Sequence, residues 1–92
     1  MTQHASREVT IVNKLGLHAR AATKLAKLSQ NFDASITLTL EGKTADAGSI
    51  MGLMLLTGSQ GKTVRVDTHG SDATTALNAV CQLFVDKFDE GE

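Results

Sequence analysis

The stretch Ala-Ser-Ile-Thr-Leu-Thr-Leu at residues 34–40 decides the fold, because its apolar and polar side chains alternate along its whole length. A period of two residues is typical of a β-strand with one buried face and one face in water. Such a strand belongs to a sheet whose apolar face needs a covering layer. The residues that we expect on the buried face are Ala34, Ile36, Leu38 and Leu40.

The segments on either side switch between this period and the longer period of a helix. Apolar residues recur on one side of residues 18–30 and again on one side of residues 71–88, as in amphipathic helices. In chain order we predict strand 8–13, helix 18–30, strand 34–40, strand 43–47, helix 49–56, strand 62–68 and helix 71–88. This order, βαββαβα, predicts an α+β two-layer sandwich in which helices cover one face of a mainly antiparallel sheet.

The composition fits one small domain and argues against several classes of partner. The chain has 92 residues, and we expect a domain at residues 7–88 between a flexible lead-in, residues 1–6, and an acidic tail, residues 89–92. The net charge of -1 gives no basic footprint for nucleic acid or for a membrane surface. Because the chain has no Trp or Tyr, it also has little with which to stack nucleic-acid bases.

The apolar segments are too short for a membrane protein. The longest run, residues 50–56, is interrupted by Gly52 and falls far short of the roughly 20 residues that a membrane span needs. Residues 1–6 contain no apolar stretch of the kind found in a secretory signal. The single cysteine, Cys81, fits a reducing compartment, so we expect a cytoplasmic protein.

The motif Gly16-Leu17-His18-Ala19-Arg20 lies where a loop becomes the first helix. The start of a helix leaves four N–H groups without internal partners and has about half a positive charge, which favours the neutral, nucleophilic imidazole. A phosphoryl group on the His18 ring would lie against a cradle formed by Ala19, Arg20 and Ala21. The Arg20 guanidinium is suited to phosphate oxygens, and Gly16 lets the backbone turn. The pattern therefore indicates a phosphohistidine acceptor built on His18 and Arg20.

A simpler interpretation of the same residues stays open. His18 would then only cap the helix, and Arg20 would be an ordinary solvated charge. Histidines at the junction of a loop and a helix are common, so this spacing alone does not decide between the two interpretations.

Two motifs together resemble the HPr family, the histidine phosphocarriers of the bacterial phosphoenolpyruvate-dependent phosphotransferase system. They are Gly16-Leu17-His18-Ala19-Arg20 and Ser49-Ile50-Met51-Gly52-Leu53-Met54, and the resemblance extends over residues 7–88. It implies an open-faced sandwich of four antiparallel strands under three helices. It also implies that His18 accepts phosphate from Enzyme I through Nδ1 and passes it to an enzyme II A-type domain, with Arg20 as the active-site arginine.

One position departs from the family pattern. The family usually has proline directly after the arginine, whereas this chain has Ala21. Proline would remove a backbone donor and stiffen the first turn, and alanine restores that donor. The departure leaves the transfer rate and the choice of partner open. Together with residues 31–34, it makes the sequence more similar to the nitrogen-related or regulatory proteobacterial members.

Ser49 begins the second predicted helix and has two interpretations. Serine is a preferred N-cap, which by itself accounts for its presence. The resemblance implies that Ser49 is also the serine that HPr kinase/phosphorylase modifies in some bacteria. A phosphate there would add about two negative charges near the partner-binding face.

The second helix is apolar all round, so one side of it must be exposed. We expect Ile50, Leu53 and Leu56 in the core, and Met51, Met54 and Leu55 on the surface; a fully buried helix is the alternative. Flexible methionines suit a surface that meets several partners. The resemblance implies a docking face for Enzyme I and acceptor domains. Its residues are Thr23, Lys27, Ile50, Met51, Met54 and Leu55.

Other candidate sites are discounted. Residues 58–63 end in Gly-Lys-Thr, but a P-loop needs glycine at position 56, where the chain has leucine, and a following helix, where we predict a strand. Cys81 is expected to be a small buried hydrophobic residue, and His4 and His69 lie apart from any metal-ligand spacing. We expect no cofactor, no metal and no enzymatic activity of the chain's own.

Three functional hypotheses remain. The first is a monomeric phosphocarrier. The second is a regulatory binding module, controlled by phosphorylation of Ser49, that recruits a partner through Met51 and Met54. The third, a structural or nucleic-acid-associated domain, is disfavoured by the balanced charge and the few aromatic residues.

Overall fold

A computed structural model describes residues 3–89. The chain forms, in order, β1 (Gln3–Thr10), α1 (Ala19–Ser29), β2 (Ser35–Leu40), β3 (Lys43–Asp46), α2 (Ile50–Leu55), β4 (Thr63–Gly70) and α3 (Ala73–Val85). A short turn of 3-10 type, Lys87–Asp89, follows α3. The predicted order βαββαβα is confirmed.

The four strands form one antiparallel sheet with the order β1-β4-β2-β3. Val9 pairs with Val64 between β1 and β4, and Leu38 pairs with Val66 between β2 and β4. Because paired residues in an antiparallel sheet point to the same side, these apolar side chains form one continuous face.

All three helices cover that apolar face. Leu25 of α1, Leu53 of α2 and Val80 of α3 are fully buried and belong to the same cluster as the valines of β4. Full burial of one such side chain contributes roughly 1.5–3 kcal/mol relative to exposure. The opposite face of the sheet has Thr39, Arg65 and other polar side chains. The fold is therefore the predicted α+β open-faced sandwich.

The first strand begins earlier than predicted. It starts at Gln3 rather than Glu8 and ends at Thr10, so residues 3–6, expected to be a flexible lead-in, instead pair with β4. The rings of His4 and His69 stack there with their centroids 4.3 Å apart. This pairing uses backbone groups, which the polar side chains of the segment do not reveal. Residues 1–2 lie outside the described residues.

The last helix ends earlier than predicted. It stops at Val85, and Lys87, Phe88 and Asp89 all adopt positive φ angles. This reversal brings the fully buried Phe88 ring to 4.9 Å from the ring of Phe84. Lys24 Nζ also donates a hydrogen bond to the Phe88 carbonyl at 2.7 Å. Burial of the ring favours the turn over continuation of the helix. Of the predicted acidic tail, residues 90–92 lie outside the described residues.

The other element boundaries differ from the predicted ones by one or two residues. Within residues 3–89 no helix combines the length and the apolar character required to cross a bilayer. The segment after Lys62 is strand β4 and not a helix, which agrees with the rejection of a P-loop.

Candidate functional site

His18 occupies the N-cap position of α1. Its backbone is extended, with φ -76° and ψ 177°, and its carbonyl accepts the first helical hydrogen bond, from Ala22 N–H at 2.9 Å. Its half-buried side chain makes no capping hydrogen bond to the described helix. The imidazole thus lies at the start of α1, and its role there stays a prediction.

The first backbone amides of α1 make the helix start beside His18 electropositive. The amides of Ala19 and Ala21 precede the first helical hydrogen bond, so no carbonyl of α1 lies in position to accept from them. The first turn of α1 contains no acidic residue. Arg20 is exposed on the same turn. The four residues that the sequence assigns to the site, His18 to Ala21, therefore surround one helix start.

The loop before His18 is fixed by contacts that the sequence analysis missed. The fully buried Asn13 donates from Nδ2 to the Gly16 carbonyl at 2.8 Å, and Gly16 has φ +64°. The Leu17 N–H donates to the Gly58 carbonyl at 2.8 Å. A signal for Asn13 was present, because an asparagine followed by a nearby glycine is typical of a turn closed by a side chain. Nothing in the local pattern pointed to Gly58.

Helix α2 packs against α1 and exposes most of its apolar residues. Met51 is 70% exposed and Leu55 69% exposed, whereas Leu53 and Leu56 are buried, as predicted. Ile50 is 38% exposed, so its predicted place in the core is wrong. It is the first residue of the helix, and the buried residue of α2 is Leu53, three positions later. Met54 is also exposed.

Two residues of the predicted docking face belong to α1. Thr23 is half-buried, and its Oγ1 donates to the Ala19 carbonyl at 2.7 Å. Lys27 is exposed in the last turn of α1. A further apolar residue, Leu15, is 60% exposed in the loop before His18 and was not singled out from the sequence.

Ser49 is the N-cap of α2. Its Oγ accepts a hydrogen bond from the Gly52 N–H at 3.0 Å, and the residue is exposed. A Cβ at position 52 would lie 2.9 Å from this Oγ, so glycine leaves room for the cap. The capping interpretation of Ser49 is confirmed, and its modification stays a prediction.

Replacing Ser49 with alanine is expected to destabilise the protein by about 1 kcal/mol, because the Gly52 amide loses its acceptor. Urea denaturation measures this change. The control is Ser49→Asp, which keeps an oxygen acceptor at the N-cap and should stay within a few tenths of a kcal/mol of the original chain. Equal stability of the alanine variant and the original chain would contradict the importance of the cap.

The remaining titratable candidates lie elsewhere. Cys81 is buried on α3, and burial raises the pKa of its thiol above the ordinary value despite the nearby Arg7, as suits a packing residue. Among residues 3–89, no three His, Cys, Asp or Glu side chains are grouped as metal ligands.

Comparison with known proteins places this chain in a family. The family model described as "PTS HPr component phosphorylation site" matches residues 5–86. The phosphocarrier protein NPr of Shewanella violacea is 55% identical over 84 residues, which are 91% of this chain and 92% of that protein. The phosphocarrier protein HPr of Cupriavidus necator is 45% identical over 86 residues, covering 94% of this chain and 97% of that protein.

A solved structure is similar in both fold and sequence. The HPr of Thermoanaerobacter tengcongensis matches with a TM-score of 0.89 and 36% identity, covering 94% of this chain and 97% of that one. The family model includes the helix start at His18, and the structural match extends over nearly the whole chain. The chain belongs to the HPr family of phosphocarrier proteins of the phosphotransferase system.

Proposed function

We propose that this protein accepts a phosphoryl group from Enzyme I on His18 and passes it to an enzyme II A-type domain. The observation that supports this most directly is the position of the His18 imidazole at the start of α1, beside the amides of its first turn. A ring nitrogen of His18 forms the new bond to phosphorus while the bond between phosphorus and Enzyme I breaks. In the second step the acceptor domain takes the phosphoryl group, and the His18 ring is regenerated.

The surroundings of His18 supply what phosphoryl transfer requires, which is positioning and stabilisation of charge on three oxygens. The first-turn amides of α1 and the exposed Arg20 guanidinium are the donors for these oxygens. In this mechanism the reacting group that the chain provides is the His18 imidazole, which acts as the nucleophile. The protein therefore acts as a carrier and as a protein substrate of other phosphotransferases.

The docking face for both partners consists of Thr23, Lys27, Ile50, Met51, Met54 and Leu55. It combines the exposed apolar side of α2 with the adjacent α1, which begins at His18. A partner seated on this face comes within reach of the imidazole. Methionine and leucine side chains allow successive partners to bind the same surface.

One relative, the NPr of Shewanella violacea, supports the nitrogen-related type of carrier with its 55% identity. The NPr of Escherichia coli and the HPr of Cupriavidus necator are equally similar to this chain, each at 45% identity. Ala21, in place of the proline of the family pattern, adds a backbone donor to the cradle. We infer a cytoplasmic monomer that works with Enzyme I and A-type domains of this branch.

Regulation at Ser49 is a second candidate function. The residue is exposed at the start of α2, beside the docking face. Phosphorylation by an HPr kinase/phosphorylase would place about two negative charges there and weaken the docking of Enzyme I. In the alternative of a regulatory binding module, phosphorylated Ser49 would instead recruit a partner.

The carrier proposal is tested by mixing the protein with purified Enzyme I and labelled phosphoenolpyruvate. We expect label that is labile in acid and stable in base, because a bond between phosphorus and an imidazole nitrogen hydrolyses in acid. Phosphoserine, formed by HPr kinase/phosphorylase, is stable in acid and distinguishes the regulatory site. Absence of label, with a known HPr labelled in a parallel reaction, would contradict the carrier proposal.

A further inference from the structure

The residue after the C-cap of α2 has an uncommon backbone conformation. Thr57 has φ +54°, in the left-handed region. For a β-branched residue this conformation is an outlier, and it costs roughly 1–2 kcal/mol relative to the ordinary helical region. Such a conformation persists only where the surroundings impose it.

Two lysine side chains contact Thr57 in this turn. Lys43 Nζ donates to Thr57 Oγ1 at 3.1 Å, and the same hydroxyl donates to the Leu56 carbonyl at 2.6 Å. Lys62 Nζ lies 3.5 Å from the Thr57 carbonyl and also pairs with Glu41 at 3.3 Å. We name Lys43, Thr57 and Lys62 the Thr57 clasp. It joins the end of α2 to β3 and to the residue before β4.

The residue after Thr57, Gly58, directs its carbonyl to the loop before His18. This carbonyl accepts the Leu17 N–H at 2.8 Å. Gly58 is tightly enclosed, since a Cβ on it would lie 2.8 Å from methyl groups of both Ile11 and Leu17. A change at Thr57 that displaces Gly58 therefore displaces Leu17.

Leu17 is the residue directly before His18 and is itself buried. Its N–H is fixed by Gly58, and α1 begins two residues later, at Ala19. The backbone of His18 thus lies between one anchor at Leu17 and another at the first turn of the helix. Both anchors therefore fix the backbone from which the imidazole extends.

We propose that Thr57 is a positioning residue for phosphoryl transfer. Its left-handed turn, which the Thr57 clasp holds, determines the position of the Gly58 carbonyl. Because that carbonyl accepts the Leu17 N–H, it also fixes the backbone that leads into His18. This role rests on the proposed function of His18 as the phosphoryl acceptor. The same turn directly follows α2, which contains most of the docking face. The turn at Thr57 therefore connects the helix that a partner would contact with the contacts that orient His18.

The test compares Thr57→Ala, which removes the hydroxyl, with Thr57→Ser, which keeps it. In the alanine variant we expect the Leu17 amide to exchange its hydrogen about tenfold faster, because its hydrogen bond opens more often. The ring nitrogen chemical shifts of His18 should change in the same variant. With Enzyme I as the phosphoryl donor, kcat should fall about three- to tenfold while KM stays unchanged. The serine variant should keep the kcat and the Leu17 exchange rate of the original chain.

A matched control separates positioning from general loss of stability. Thr44→Ala removes another exposed hydroxyl, which contacts Thr39 Oγ1 at 3.4 Å and makes none of the hydrogen bonds of the Thr57 clasp. It should leave the exchange of the Leu17 amide unchanged. Exchange at Val66, in the centre of the sheet, reports global opening and should be equal in all variants.

The proposal is overturned if Leu17 exchange and the His18 ring shifts in Thr57→Ala match those of the original chain. It is also overturned if Thr57→Ser behaves like the alanine variant. These two measurements need no phosphoryl donor. A failure of Enzyme I to label the original chain would overturn the carrier function, while the exchange data would still decide whether Thr57 orients His18.

Discussion

Replacing His18 with alanine is expected to abolish acid-labile labelling by Enzyme I and phosphoenolpyruvate, with a fall in rate of at least about 10³-fold. The reason is chemical, because the substitution removes the only nucleophile that the proposed mechanism uses. Arg20 and the first-turn amides stabilise charge on a phosphoryl group but cannot accept it. Autoradiography before and after acid treatment, with time courses for both proteins, measures the effect.

The other two histidines provide the control for this prediction. His4 and His69 stack on each other across β1 and β4, and His4 also contacts Asp67 at 3.4 Å on the polar face of the sheet. The helix that presents His18 covers the opposite, apolar face. His4→Ala and His69→Ala should therefore be labelled at the original rate. Unchanged labelling of His18→Ala would contradict the assignment of His18, whichever other residue receives the phosphoryl group.

The sequence predicts the sheet and its helices well where burial follows a regular period. Ile36, Leu38 and Leu40 are buried at the spacing that defined the second strand, and Leu25 is buried at the spacing that defined the first helix. In these segments the burial of one face accounts for both the side-chain pattern and the backbone structure. Each buried face is complete within one element, so a local pattern is sufficient to identify it.

The ends of the chain could not be predicted from the same patterns. β1 extends to Gln3 because β4 offers backbone partners along its whole length, which polar side chains do not indicate. Phe88 continues the apolar period of α3, but its ring reaches the core through a left-handed turn and not through more helix. In both places tertiary contacts override the local preference.

The candidate site divides in the same way. His18, Arg20 and the amides of the first turn belong to one helix, so their arrangement follows from the sequence of residues 16–21 alone. The contacts that orient them come from Asn13 and from Gly58, and Gly58 belongs to a loop on the other side of α2. A single sequence contains no periodic signal for such a contact. The chemical groups of the site were therefore predictable, and the contacts of Asn13 and Gly58 that orient them were not.

Gly16→Ala is expected to destabilise the protein by about 3 kcal/mol, the largest effect on stability among the substitutions considered. Alanine at φ +64° costs roughly 1–2 kcal/mol in backbone energy. A Cβ at this position would also lie 2.1 Å from the Gly58 carbonyl oxygen, which is a backbone atom and cannot rotate away. Relieving that overlap costs a further 1–3 kcal/mol or so, as in overpacked cores. Urea denaturation at pH 7 measures the change.

Gly61 separates the two contributions, because it lies in the loop between α2 and β4 with φ +94° and its Cβ would meet no atom within 4 Å. Gly61→Ala should therefore lose only the backbone part, about 1–2 kcal/mol, and keep its rate of phosphorylation. Gly16→Ala should lose more stability and also much of its rate, since the Gly58 carbonyl that it displaces is the acceptor for the Leu17 N–H. Equal losses of stability in the two variants would mean that the loop moves aside without cost. In that case the close approach of Gly16 to Gly58 would not be needed to keep His18 at the start of the helix.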